Sequence, residues 1–172
     1  VTTRRRSSKR KLSVTMGSSS MACGTPLRGR SSRPRSSLGP IADLLAQAIA
    51  GDGWHILTGS GAAWPEAYYY GMCILEEMQW IRTRPVHASD FFHGTLELVE
   101  KGVSVVVFAG EDETRPLTDR VIAFAKGYTD KLTVLDTRDL ATTGLSPELR
   151  SMLAPALLAG VAERHGVATT GD

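Results

Sequence analysis

The chain has 172 residues, of which 42% are hydrophobic, 22% charged and 6% aromatic, with a formal net charge of +2. That balance belongs to a globular protein, and the length suits one domain of ordinary size. No apolar run approaches the roughly 20 residues of a membrane helix, and Cys23 and Cys73 offer neither a disulfide framework nor a zinc spacing. A cytoplasmic protein with no membrane partner and no metal is the expectation.

The charge is unevenly spread. Residues 1–40 hold ten Lys and Arg, ten Ser and no Asp or Glu, which leaves ten bases against 18 acids beyond them. Such a segment cannot bury enough apolar surface to offset the entropy of ordering it, so residues 1–37 are expected to be a disordered basic tail. Arg4–Arg6 and Lys9–Lys11 could meet nucleic acid by counterion release. No aromatic residue is interleaved for base stacking, however, and nucleic acid is not expected as a partner. The chain begins with Val1, and an acidic, well-patterned domain starts abruptly near Leu38. A misassigned start or a shifted reading frame would give that junction; a basic arm or an organelle-targeting segment are the alternatives.

From Leu38 the pattern is orderly. LGPIADLLAQAIA sets Ile41, Leu44, Leu45, Ala48 and Ile49 at helical spacing, and Gly51 and Gly53 end it. WHILTG, Trp54–Gly59, is a short apolar run that reads as a buried strand. GSGAAW then turns, and Pro65 opens a long helix through about Arg82. Pro85 blocks its continuation, and PVHAS suits a second short strand. VSVVVFAG, Val103–Gly110, is β-branched without alternation, as in a strand buried on both faces. TRPLTDRVIAFAKGY is a helix, KLTVLD another buried strand, and SPELRSMLAPALLAGVAERHG a helix with Ser146 as N-cap and Pro147 at its first position. Alternating buried strands and amphipathic helices predict an α/β three-layer sandwich of flavodoxin-like type, a mostly parallel sheet flanked by helices. The domain is expected over 38–165, with a short tail at 166–172.

In such sheets ligands bind beyond the carboxyl ends of the strands. Three places qualify. Thr58-Gly59-Ser60-Gly61 joins a strand to a helix, where glycines admit an anion and free N–H groups and hydroxyls can bind it; it is neither GxGxxG nor a P-loop. Glu76 and Glu77 lie on a helix with apolar Ile74, Leu75, Met78 and Ile81, so one carboxylate must stand nearer the buried side, where its pKa would rise and make it a usable base. Finally, Val86-His87-Ala88-Ser89-Asp90-Phe91-Phe92-His93-Gly94 gathers two imidazoles and a carboxylate after a strand. His87 and His93 have no evident third ligand, so a metal is not expected there. On this chemistry alone the alternatives are a proton-transfer site, a phosphate site or purely structural residues.

These same residues resemble a known family. GSGAAWPEAYYYGMCILEEMQW, PVHASDFFHGTLELVEKGVSVVVF and the later DETRPL are similar to the second SIS (sugar isomerase) domain of the fructosamine 6-phosphate deglycases. More distantly they resemble the isomerase half of glutamine–fructose-6-phosphate aminotransferase. The likeness covers about residues 38–158. It implies that Glu77 is the base moving a proton between C1 and C2 of an open-chain sugar, and that His93, sixteen residues later, assists ring opening. Thr58, Ser60, Gly61, His87 and Asp90 are the expected substrate contacts. Asp90 stands where the family has Glu, and Thr95 replaces the Pro that follows its His-Gly pair. The implied chemistry calls for no metal or redox cofactor. It implies a sugar-phosphate ligand and a homo-oligomer, with Tyr68–Tyr70 a candidate contact. The family's Ser/Thr-rich phosphate loops belong to its first domain and have no counterpart here, and no Lys follows Lys131 where the aminotransferases have a catalytic one. The chain is thus expected to be the second half of a longer enzyme. A non-catalytic, sugar-phosphate-binding regulatory module is the alternative, although the basic tail lacks a helix-turn-helix pattern.

Overall fold

Four short strands carry the fold: β1 (Trp54–Gly59), β2 (Arg82–His87), β3 (Ser104–Ala109) and β4 (Lys131–Asp136). The computed structural model describes residues 39–50, 52–140, 142 and 144–169, with side chains described up to Glu163. The expected basic tail at 1–37 lies outside them, and α4 runs on to Thr169, past the boundary expected at 165.

All pairings are parallel, in the order β2-β1-β3-β4. Side chains alternate across each strand, and both faces of the central strands are apolar, so each needs a cover. Leu57, Val106 and Phe108 face α1 (Gly39–Ile49), α2 (Trp64–Tyr69) with the turn of helix after it, and α4 (Pro147–Thr169), where Leu45, Ala67, Tyr70 and Leu158 meet them. Ile56, Val105 and Val107 face the opposite way, toward Phe91 of the β2–β3 crossover and Val121 and Ala125 of α3 (Arg115–Tyr128). The expected three-layer α/β sandwich is therefore present, and β3 is buried along its whole length. Ser146 caps α4 as anticipated: the Leu149 amide donates to its Oγ at 3.4 Å. Among the described residues no helix is long and apolar enough to cross a membrane.

Several local expectations need correction. In α1 the buried face is Ala42, Leu45 and Ile49, and Leu44 is exposed. The helix expected to reach Arg82 ends near Gln79, and its second half, Tyr70–Met78, is a π-helix. The Ile81 amide donates back to the Leu75 carbonyl at 2.9 Å, and Trp80 takes a φ of 59°, which swings the chain into β2. β2 consequently begins at Arg82 rather than Pro85, and Ala88 and Ser89 already belong to the next turn. A proline and two exposed arginines are tolerated there because β2 is an edge strand, paired with β1 alone among the described residues. β4 is half-buried rather than buried, with only Leu135 fully covered, because it too is paired on one side.

Candidate functional site

The loop after β1 leads to α2 on one face, and the loop after β3 leads to α3 on the other. Between them lies the switch point at which flavodoxin-like sheets usually take a ligand. Here the chain fills that crevice itself. Asp112 Oδ2 accepts from the Ala62 amide at 2.8 Å, and its Oδ1 accepts from the Thr114 amide at 2.9 Å and the Thr114 hydroxyl at 2.5 Å. Burial works against the charge on Asp112, but the bonds from Thr114 and the two amides outweigh it and hold the carboxyl below its usual range. Ser60 Oγ donates to the Thr114 carbonyl at 3.1 Å and shares a 2.6 Å hydrogen bond with Thr118 Oγ1. Gly61, at φ 52°, leaves no room for a side chain: a Cβ would stand 2.4 Å from both Asp112 Oδ2 and Thr114 Oγ1. Thr58 is fully buried in β1, with a hydroxyl lacking any hydrogen-bond partner among the described residues. The turn after β1 thus reaches its neighbour loop rather than open space.

A second network continues along the carboxyl ends of β3 and β4. Arg115, buried at the start of α3, donates from Nη1 to the Gly110 carbonyl at 3.0 Å and forks onto Asp136 at 2.9 and 2.5 Å. Its Nε reaches Asp119 at 2.7 Å. Burial opposes the charge on Asp136, yet Arg115 and the Arg138 amide draw its pKa below the usual range. Arg150 of α4 holds Glu111 at 2.7 Å, and with Thr137 it depresses that carboxyl as well. Sequence reasoning missed the roles of Asp112, Thr114, Arg115 and Thr118. The available signal was a run of acidic and hydroxyl residues, Glu111-Asp112-Glu113-Thr114, directly after the most buried strand and just before an Arg-Pro helix start.

The paired carboxylates divide their work. Glu76 is the one nearer the buried side: its Oε1 accepts from the Thr83 amide at 3.1 Å and the Thr83 hydroxyl at 2.7 Å, tying the π-helix to β2. Glu77 is exposed and makes no hydrogen bond or ion pair among the described residues. At the far end of β2, His87 is half-buried beside Trp64, with ring centroids 5.5 Å apart. Its Nδ1 accepts from the Ser89 amide at 3.2 Å, and Ser89 Oγ bridges at 3.2 Å to Asp90. His93 is exposed. It follows Phe91 and Phe92, which pack against the α3 side of the sheet, whereas Glu77 lies in the last turn of the helix covering the other side. The fold therefore clusters Ser60, Gly61, His87 and Asp90 at the carboxyl end of the sheet. Glu77 and His93 share no hydrogen bond or ion pair among the described residues.

No protein-family model matches the chain. Over 99 residues it is 43% identical to the fructosamine deglycase of Bacillus subtilis, a match covering 58% of this chain and 30% of that one. Over 94 residues it is 36% identical to the fructoselysine 6-phosphate deglycase of Escherichia coli, covering 55% and 27%. The chain resembles the ketosamine deglycases. It spans less than a third of the length of these curated relatives. In three dimensions it matches a candidate phosphosugar isomerase of Bacillus subtilis with a TM-score of 0.69 and 35% identity, over 76% of this chain and 40% of that one. The C-terminal domain of glucosamine-fructose-6-phosphate aminotransferase from Francisella tularensis shares the fold, with a TM-score of 0.55 at 16% identity, over 80% of this chain and 42% of that one. The resemblance drawn from the sequence motifs is borne out, and so is the α/β fold that came with it.

Proposed function

We propose that this domain supplies the proton-transfer groups of an enzyme that deglycates or isomerises ketosamine or ketose 6-phosphates. The observation that carries this reading is the contrast between two adjacent carboxylates. Glu76 is spent on Thr83, while Glu77 is exposed and unengaged, free to act on a substrate. The relatives' named activities supply the reaction class.

In this mechanism His93 moves a proton at the ring oxygen as the sugar opens. Glu77 takes a proton from C1 of the ketosamine while the C2 carbonyl oxygen gains one, giving an enaminol. The proton is then returned to C2 as the amine N–H is lost, which leaves a C2 hydroxyl and a C1=N imine. Water then adds at C1, the C–N bond breaks with the proton going to nitrogen, and an amine and a hexose 6-phosphate leave. His87 and Asp90 at the end of β2 serve as substrate contacts, and Thr58, Ser60 and Gly61 shape the turn beside them. With that turn filled by Asp112, the main hold on the phosphate comes from outside the described residues. The lack of any bond between Glu77 and His93 among the described residues supports a homo-oligomer in which one copy's Glu77 meets another's His93, and Tyr68 and Tyr69, half-exposed on α2, are available for that contact.

The test is turnover of fructosyl-lysine 6-phosphate by the full chain and its Glu77→Gln variant. Loss of about a hundredfold or more in kcat is expected on removing the base, with binding kept. Full activity in Glu77→Gln would overturn the assignment. Mixing Glu77→Gln with His93→Ala protein should restore part of the rate if the site is shared between copies.

A further inference from the structure

Where the π-helix gives way to β2, an open cleft of about 510 Å³ is lined by Glu76, Trp80, Ile81, Arg82 and Thr83. Trp80 is 89% exposed and has a φ of 59°, and it is the only non-glycine with a positive φ among the described residues. Holding a bulky residue in that region costs strain, and an exposed ring gains no burial in return. Strained residues of this kind cluster at ligand clamps, and π-helical turns recur at functional sites. Arg82 is exposed and makes no hydrogen bond or ion pair among the described residues. The anion beside it, Glu76, already accepts both the amide and the hydroxyl of Thr83. A free guanidinium and a presented indole therefore border one cleft, five and three residues beyond Glu77 respectively.

Resting on the assignment of Glu77 as the base, we propose that Trp80 and Arg82 form the subsite for the amine half of a ketosamine 6-phosphate. The indole face packs on the amino-acid chain, and the guanidinium takes its carboxylate through paired N–H groups. The sugar phosphate is the wrong guest for this cleft. The Glu76 carboxylate on its wall repels a dianion, and the Thr83 amide and hydroxyl that could bind phosphate oxygens are already donated. An amino acid, carrying both signs of charge and an aliphatic chain, matches a wall that offers Glu, Arg and Trp.

Calorimetric titration of the full chain with three probes tests this: fructose 6-phosphate, the fructosamine 6-phosphate of glycine, and that of ethylamine, which lacks a carboxylate. The glycine adduct should bind about tenfold tighter than the ethylamine adduct. Arg82→Gln should erase that preference and leave the other two probes unchanged. Trp80→Ala should weaken both amine-bearing probes and spare fructose 6-phosphate. Equal loss of all three probes in Arg82→Gln would mean that Arg82 serves the phosphate, and would overturn the proposal. Indifference of binding to both substitutions would overturn it too, as would indole fluorescence that responds to dilution but not to the probes. Glu77→Gln separates the two layers of the argument. If that variant is inactive while Trp80 and Arg82 prove indifferent, the subsite alone fails; if it is fully active, the base assignment falls and the subsite with it.

Discussion

The Asp112 carboxylate lies 2.8 Å from the Ala62 amide and so closes, from the loop after β3, the turn that follows β1. The two loops flanking the switch point are locked to one another by Asp112, Ser60, Thr114 and Thr118. An internal carboxylate thus occupies the place that a bound anion has in other sheets of this order. The consequences are measurable.

Gly61 permits this closure because it combines a φ of 52° with the absence of a side chain. Gly61→Ala adds a conformational cost of about 1 kcal/mol to the displacement of Asp112 and Thr114. A lowered urea midpoint, corresponding to about 2 kcal/mol or more in total, is expected. An unchanged midpoint would show that the loops give way freely.

Ser60→Ala removes a hydroxyl that bonds both the Thr114 carbonyl and Thr118. A loss of about 1–2 kcal/mol in stability follows from the unpaired groups left behind. Affinity for a sugar phosphate should hardly change. The opposite pattern, weaker binding at unaltered stability, would make Ser60 a direct ligand contact.

Arg115→Ala strands the Asp136 carboxylate and the Gly110 carbonyl, and should cost about 3–5 kcal/mol, as for a buried pair that has lost one partner. Arg115→Lys, which keeps the charge but not the fork, should cost less. The pair also sets a pH dependence. The folded-state pKa of Asp136 is depressed, so its stabilising effect is present above the ordinary carboxyl range near about pH 4 and is lost as pH falls below it. Acid melts should show this loss in the parent chain, and Arg115→Ala should flatten it.

His55 gives the pH dependence nearer neutrality. It is fully buried, shares a 2.8 Å hydrogen bond with Ser104 through Nδ1, and has no partner at Nε2 among the described residues. Burial lowers its pKa, opposed by Asp52 and aided by Lys131. The unfolded chain therefore takes up a proton below about pH 6.5 that the folded chain resists, and stability falls as pH drops through that window. The melting temperature should decline from pH 7 to pH 5. His55→Gln should lower it at both values and reduce the decline. A decline of equal steepness in that variant would assign the effect to other groups.

Much of the fold was legible because the dominant energy terms are local patterns. The apolar run Val105–Ala109 had to be a strand buried on both faces, and Ser146-Pro147 had to start a helix. β2 was misplaced because its residues, Arg82-Thr83-Arg84-Pro85, carry no strand pattern of their own. Backbone pairing with β1 makes them a strand, and the Glu76–Thr83 bonds pin its start, neither of which any hydropathy period records. The candidate site was half visible for the same reason. Gly61 announced a close approach, but the approaching group comes from fifty residues on, at Asp112. Glu77 and His93 were proposed through motif resemblance alone, and spacing along the chain does not encode how the crossover between the π-helix, β2 and the following turn sets them relative to one another.

The order β2-β1-β3-β4 leaves two very different rims. Along β2, Pro85 withholds an N–H and Arg82 and Arg84 line up positive charge, so another strand pairing there would lose a bond and meet repulsion. β4, Lys-Leu-Thr-Val-Leu-Asp, carries no proline and pairs on one side only among the described residues. Growth of the sheet is therefore one-directional: β2 is closed to strand addition, and a fifth strand would join beside β4.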